Sequence, residues 1–313
     1  MRALALAFLT ALPAAASEDI ADQYPGSMLY SKPVEVIPGV FSAIGATAPP
    51  TYENAGHNNN LSFIVTGDGV VVINGGASYL LAEALHSEIK AVTDQPVKLV
   101  FNENGQGHAM LGNSYWADQG VKIVAHIDAA HEIEERGAQS LRAAKARVKE
   151  RADHTRVVLP DETFEDSYRV DMGDIRIEAL HLGPAHSPGD IQIWLPDQSL
   201  VIAGDMAFHE RLLPIFADTQ TAEWLDTWNG PFEGLGATYV IPGHGHPTNM
   251  AQVRRHTRDY LVYLRGKIAE HLDNDGELAE AYYVDQSPFA HLDTFEELAT
   301  KNAGRVFEQM EFE

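Results

Sequence analysis

The chain has 313 residues, 45% hydrophobic and 21% charged. That composition can fill a core and excludes a chain that is disordered throughout. With 45 acidic and 22 basic residues the net charge is −23, which repels phosphate backbones and anionic bilayers, so no nucleic-acid partner is expected.

The chain opens on Met1-Arg2, an apolar run over 3–12, Pro13 and Ala14-Ala15-Ala16. This is the layout of a secretory signal peptide over 1–17. The run is too short to span a bilayer, which takes about 20 residues. The expectation is a periplasmic or secreted protein with no membrane attachment after cleavage. Residues 18–33 read as an extended polar arm. Short β-rich runs follow at 34–37, 40–44, 61–66 and 70–73, and Gly67-Asp68-Gly69 marks a hairpin between the last two. Apolar spacing predicts a helix over 78–92 with Ser78 as its cap. A buried strand is expected at 97–101, a helix after 113, a strand at 121–125 and a long charged helix over 127–151. The second half gives strands at 175–179, 191–195 and 200–203, a helix over 222–232, a strand at 239–241, a long helix over 252–272, and helices at 276–283 and 294–311. Hairpins outnumber βαβ units, which favours mixed sheets covered by helices. The domain reading is one unit over 34–250, with 251–313 as a helical extension packed on it. Trp224, Trp228 and Phe232 lie at helical spacing and are expected in the core.

Cysteine is absent and histidine numbers 14. Disulfides and thiolate chemistry are therefore excluded, and the placing of the histidines carries the functional reading. Four segments put polar residues beside glycines at or between predicted strand ends. They are Asn104-Gly105-Gln106-Gly107-His108, the 183–190 run Gly-Pro-Ala-His-Ser-Pro-Gly-Asp, Gly204-Asp205, and Gly243-His244-Gly245-His246. Strand ends on one sheet edge converge on a common crevice, and histidine with carboxylate suits zinc or non-haem iron. His126, His131, His154 and His256 fall on or near helices and read as surface. The segment 51–59 reads as a flap over the site.

Together with the 59–76 hairpin, Leu111-Gly112-Asn113 and Pro242-Gly243-His244-Gly245, these segments resemble the metallo-β-lactamase-fold superfamily over about 34–250. The resemblance implies an αββα sandwich with a metal site on one edge of the two sheets. Members are mostly hydrolases of esters, thioesters, lactones, β-lactams or phosphodiesters, with relatives that oxidise persulfides using iron. The family loop His-x-His-x-Asp-His is altered. Aligned through Leu111-Gly112-Asn113, its four places hold Asn104, Gln106, His108 and Ala109. A gapped alignment instead puts Asn102, Asn104 and Gln106 in the first three places and His108 in the last. His186, Asp205 and His244 match family ligands. The resemblance then implies one divalent metal, zinc or alternatively iron, held by His108, His186, Asp205 and His244. His108 and Asp205 are the catalytic candidates. Asn104, Gln106, His181, His209 and His246 are candidates for substrate contact or for orienting the ligands. Asn74 stands where the family has aspartate, which suggests a site of reduced negative charge. The expected function is hydrolysis of a small-molecule ester, lactone, thioester or β-lactam-type bond. The alternatives are an accessory protein of the same fold with a degenerate site, and a mononuclear iron sulfur-oxidising oxygenase.

Overall fold

The β-branched runs of the first half pair with their chain neighbours to form one sheet. The computed structural model describes residues 23–313, so the predicted signal segment 1–17 lies outside the described residues. Strands β1 (Val34–Ile37), β2 (Val40–Ala43), β3 (Leu61–Val65) and β4 (Val70–Ile73) are antiparallel. Helix α1 (Tyr79–Val92) follows, with the Ser78 hydroxyl accepting from Leu81 N. It carries the chain across to β5 (Val97–Asn102), parallel to β4. The short helices α2 (Gly107–Met110) and α3 (Asn113–Asp118) lead to β6 (Lys122–His126), α4 (Ile127–Val148) and β7 (Glu162–Phe164). The seven strands lie in chain order.

The second sheet is built from β8 (Ser167–Met172), β9 (Ile175–Leu180), β10 (Gln192–Leu195), β11 (Leu200–Phe208) and β12 (Tyr239–His244), in the order 12-11-10-9-8. Helices α5 (Thr221–Thr227), α6 (Met250–His256), α7 (Arg258–Asp273), α8 (Leu278–Ala281) and α9 (Phe295–Met310) complete this half. Side chains of both sheets meet in one core that includes Ile64, Leu99 and Phe101 with Ile177, Ile193 and Ile241. The outer face of the first sheet packs on α1 and α3 through Leu81, Leu85 and Trp116. The outer face of the second packs on α5, α7 and α9 through Trp224, Leu264 and Val306. The architecture is a four-layer αββα sandwich. No described helix is long and apolar enough to cross a membrane.

Several expectations need correction. β8 escaped the sequence reading because it is an edge strand. Its Tyr168, Val170 and Met172 face inward while Ser167, Arg169 and Asp171 are exposed, so its run is only half apolar. The predicted helix over 252–272 breaks at Thr257, whose hydroxyl accepts from Phe208 N and donates to Phe208 O. The helix over 222–232 ends in a π-helical turn at Trp228–Phe232, although Trp224, Trp228 and Phe232 are all buried as expected. The described part of the N-terminal arm runs through turns and bends over 25–31 where an extended chain was expected. Leu29, Tyr30 and Ser31 are buried, and Tyr30 N donates to His57 Nδ1.

Candidate metal centre

β11 and β12 run further than their apolar cores suggest. The sequence places Asp205 and His244 in loops, but both lie on strand. The parallel pairing of β11 and β12 continues to Phe208 opposite His244, with irregularities at Gly204 and beyond. Glycine opens the space this requires. Gly204 has φ +57°, and a Cβ there would sit 1.9 Å from Glu103 Oε2. A Cβ at Gly243 would lie 2.6 Å from Asp205 Oδ1. Both residues let charged groups approach the backbone where a side chain would exclude them.

Asp205 is buried between the sheets. Its Oδ1 faces His244 Nε2 at 3.2 Å. Its Oδ2 is 3.5 Å from His108 Nε2 and 4.0 Å from His186 Nε2, and accepts from Asn104 Nδ2 at 3.2 Å. The four predicted ligands are therefore together, and all four line a cavity of about 390 Å³. The cavity walls are mainly apolar, with Pro49, Ala55, Leu111, Val148, Pro214 and Phe216 among them. Segment 51–59 forms part of a wall through Ala55, Gly56 and Asn58. It is tied to the site because the Asn58 carbonyl lies against His244 Nδ1.

Each predicted side chain has a definite position. The Asn58 carbonyl can only accept, so His244 carries its proton on Nδ1 and presents the Nε2 lone pair to Asp205. Burial, with Arg211 beside it, pushes the His244 pKa down to about 4. His186 rests among Phe216, Phe208 and Trp224, and burial lowers its pKa. Burial works against charge on His108, but the Asp205 and Glu103 carboxylates outweigh it and raise its pKa. Burial also opposes ionisation of Asp205, but His108 and His244 hold its pKa well below the carboxylate range. Asp190 fixes the loop that carries His186 by accepting from Ser187 N and Ser187 Oγ. Its own pKa is raised by burial and by Asp205.

The lesser candidates divide. Asn104 touches Asp205, and Gln106 lines the cavity. His181, His209 and His246 do not line it. His181 stacks on His126 at 3.9 Å. His209 stacks on His256 at 5.0 Å, and His246 Nδ1 pairs with Glu210 Oε2 at 2.6 Å. His126 is buried, not on the surface. In the gapped alignment Asn102 would stand as a ligand position, but its amide is committed elsewhere, exchanging hydrogen bonds with the Asn113 amide at 2.9 and 2.7 Å.

The sequence reading missed Glu103 and Arg211. Glu103 is buried, with Oε1 3.2 Å from His108 Nε2, and burial raises its pKa. It forms a potential ligand group with His108 and Asp205. The expected drop in negative charge is therefore not found: Asn74 Oδ1 accepts from Glu103 N and so holds a carboxylate in place. Period-two alternation could have found it, because Leu99, Phe101 and position 103 fall on one side of the extended chain, the side that faces the second sheet. Arg211 is buried with Nη1 3.3 Å from His244 Nδ1, and burial lowers its pKa to about 10.

These residues fit a divalent cation. Two acceptor atoms, His244 Nε2 and Asp205 Oδ1, face each other across 3.2 Å. Asp205 Oδ1 and Glu103 Oε2 are buried without hydrogen-bond partners, which is costly unless a cation compensates them.

A family model described as the metallo-beta-lactamase superfamily matches residues 108–244. The metallo-beta-lactamase type 2 of Bacteroides fragilis is 24% identical over 195 residues, 58% of this chain and 70% of that protein. A metallo-beta-lactamase from Pontibacter korlensis superposes with a TM-score of 0.61 at 20% identity, covering 74% of this chain and 98% of that one. The DIM-1 metallo-beta-lactamase exposed to ceftazidime gives a TM-score of 0.59 at 15% identity, covering 74% and 96%. Over residues 108–244, and in its fold, the chain is similar to the metallo-β-lactamase superfamily. The matched region begins at His108. His186, Asp205 and His244, the residues that the sequence resemblance picks out, lie within the matched range.

Proposed function

We propose that the chain is an exported metal-dependent hydrolase acting on an ester, lactone, thioester or β-lactam-type bond of a small molecule. The observation that carries this reading is the convergence of His108, His186, Asp205 and His244 in the lining of a largely apolar cavity. These four residues would hold one divalent ion, with zinc the choice favoured by three imidazoles. Such an ion polarises a carbonyl and lowers the pKa of water toward neutrality. The protein supplies the rest. Asn104 fixes the Asp205 carboxylate, and the Asn58 carbonyl fixes the His244 tautomer. Arg211 lines the cavity, and its buried Nε–H has no acceptor, so it is available to negative charge that develops on a substrate oxygen. The apolar walls exclude water and strengthen these interactions. The net charge of −23 and the cavity size favour a small molecule over a polyanion.

The test is a panel of aryl esters, lactones, thioesters and a chromogenic cephalosporin, run with zinc-loaded and chelator-treated protein. Expected is turnover that needs the metal and disappears in Asp205→Ala. Turnover indifferent to both treatments rejects the reading. The two amides in the family loop favour a second reading, an accessory protein of this fold, and tight zinc binding with no turnover supports it. Export is tested separately by intact mass, which should show a mature chain beginning near Ser17 or Glu18.

A further inference from the structure

We propose that Glu103 is itself a metal ligand, joining His108 and Asp205 around the ion. The proposal deepens the metal-dependent reading above and rests on it. Glu103, His108 and Asp205 each offer a ligand atom, and these atoms lie within 4.8 Å of one another. Glu103 is 2% exposed and its Oε2 has no hydrogen-bond partner, whereas a buried carboxylate oxygen ordinarily finds a donor or a cation. The carboxylate is aimed by its backbone: Glu103 N donates to Asn74 Oδ1, and Glu103 O accepts from Ile191 N. Gly204 leaves the space that Oε2 occupies.

The contrast with His186 strengthens the assignment. Its Nε2 stands 4.0 Å from Asp205 Oδ2, and its Nδ1 has no partner. A ligating imidazole normally donates its second N–H to an orienting group, and His186 has none among the described residues. Glu103 has the backbone support that His186 lacks on its ring. Where the family loop offers imidazoles, this chain offers two amides, and a carboxylate from the residue between Asn102 and Asn104 supplies the missing donor.

The experiment uses the full mature chain, stripped with chelator and titrated with Zn²⁺ against a competing chromophoric chelator. Wild type should bind one ion. Glu103→Gln, nearly isosteric, should weaken binding about 10-fold or more. A carboxylate that merely orients His108 would give a similar loss, so the variant is also loaded with Co²⁺ and its visible spectrum recorded. A changed d–d band pattern in Glu103→Gln supports direct ligation. An unchanged spectrum, or zinc affinity equal to wild type, overturns it. Circular dichroism checks folding, and Glu103→Asp, which keeps the charge but shortens the reach, replaces Glu103→Gln if that variant does not fold. The same panel of substrates is assayed on wild type. Zinc binding that depends on Glu103 without any turnover would leave the ligand in place and remove the hydrolase reading.

Discussion

On the second sheet the site stands on paired backbone. Asp205 lies within β11 and His244 ends β12, and the two strands stay paired, through two register shifts, to Phe208 opposite His244. On the first sheet the chain leaves β5 at Asn102 and passes through bends and one four-residue helical turn before α3. Asp205 and His244 are on the strand-held side, and His186 is in the 183–190 loop. The altered residues are on the turning side. A ligand on a strand has a direction set by the ladder, so its neighbours are predictable from pairing. A ligand in a turn has a direction set by local hydrogen bonds, such as Asn104 Oδ1 accepting from Gln106 N, and the donor type can change while the backbone path is kept.

The largest effect should come from the group that both sides share. Asp205→Ala should lower zinc affinity about 100-fold, the upper end of what loss of even a supporting residue costs. An equilibrium titration that finds less than a few-fold change would mean that the strand-held side does not anchor the ion. Next is Gly204→Ala, which would drive a methyl into Glu103 Oε2 at a positive φ. A loss of about 2–3 kcal/mol is expected from overpacking and backbone strain together. Urea unfolding measures it, and adding Glu103→Ala should restore part of the loss. No recovery would show that the two sheets do not meet through this contact.

A gain is expected from the turning side. Asn104 already reaches Asp205, and Gln106 already lines the cavity. Asn104→His with Gln106→His should therefore raise the bound zinc count from one toward two. Metal counting after desalting decides, and a folded variant still holding one ion would show that these side chains cannot converge on His186. Ala109, the fourth family place, is a poor site for the same treatment because it is fully buried under the 102–113 turn.

The last test concerns the wall formed by 51–59. His57 is buried and its pKa is pushed down to about 3. Between the ordinary histidine value near 6.5 and about 3, the unfolded chain binds a proton that the folded chain refuses. Stability from this residue is complete above about 6.5 and falls as the pH drops, by up to about 1.4 kcal/mol per pH unit. Denaturant midpoints at pH 7, 6 and 5 should show that slope. His57→Gln should flatten it, and an equal slope in the variant would assign the acid sensitivity elsewhere.

Much of this was legible in the sequence. Hairpin glycines, the Ser78 cap and the apolar runs mark most elements because each is a local signal. His108, His186, Asp205 and His244 could be placed together because glycine and polar residues recur at strand ends. Glu103 was hidden because it stands between two asparagines that invite alignment with the family loop, and its role depends on Gly204, 101 residues further on. Arg211 was hidden for a related reason: nothing near it in the chain shows that its guanidinium is buried beside His244. His181, His209 and His246 looked alike in sequence, but stacking and an ion pair with Glu210 take them elsewhere.

The break between α6 and α7 reaches further than a local irregularity. The Thr257 hydroxyl satisfies both the N–H and the C=O of Phe208, the last residue of β11, three positions beyond Asp205. The far end of that strand is thus clamped like a beam held at both ends, one by its neighbours in the sheet and the other by a helix hinge. Bending of the beam at Asp205 requires α7 to move with it, and α7 is packed against α9. Motion at the buried carboxylate is therefore geared to the last helix of the chain, and the Phe208 amide should exchange with solvent at the pace of the whole fold.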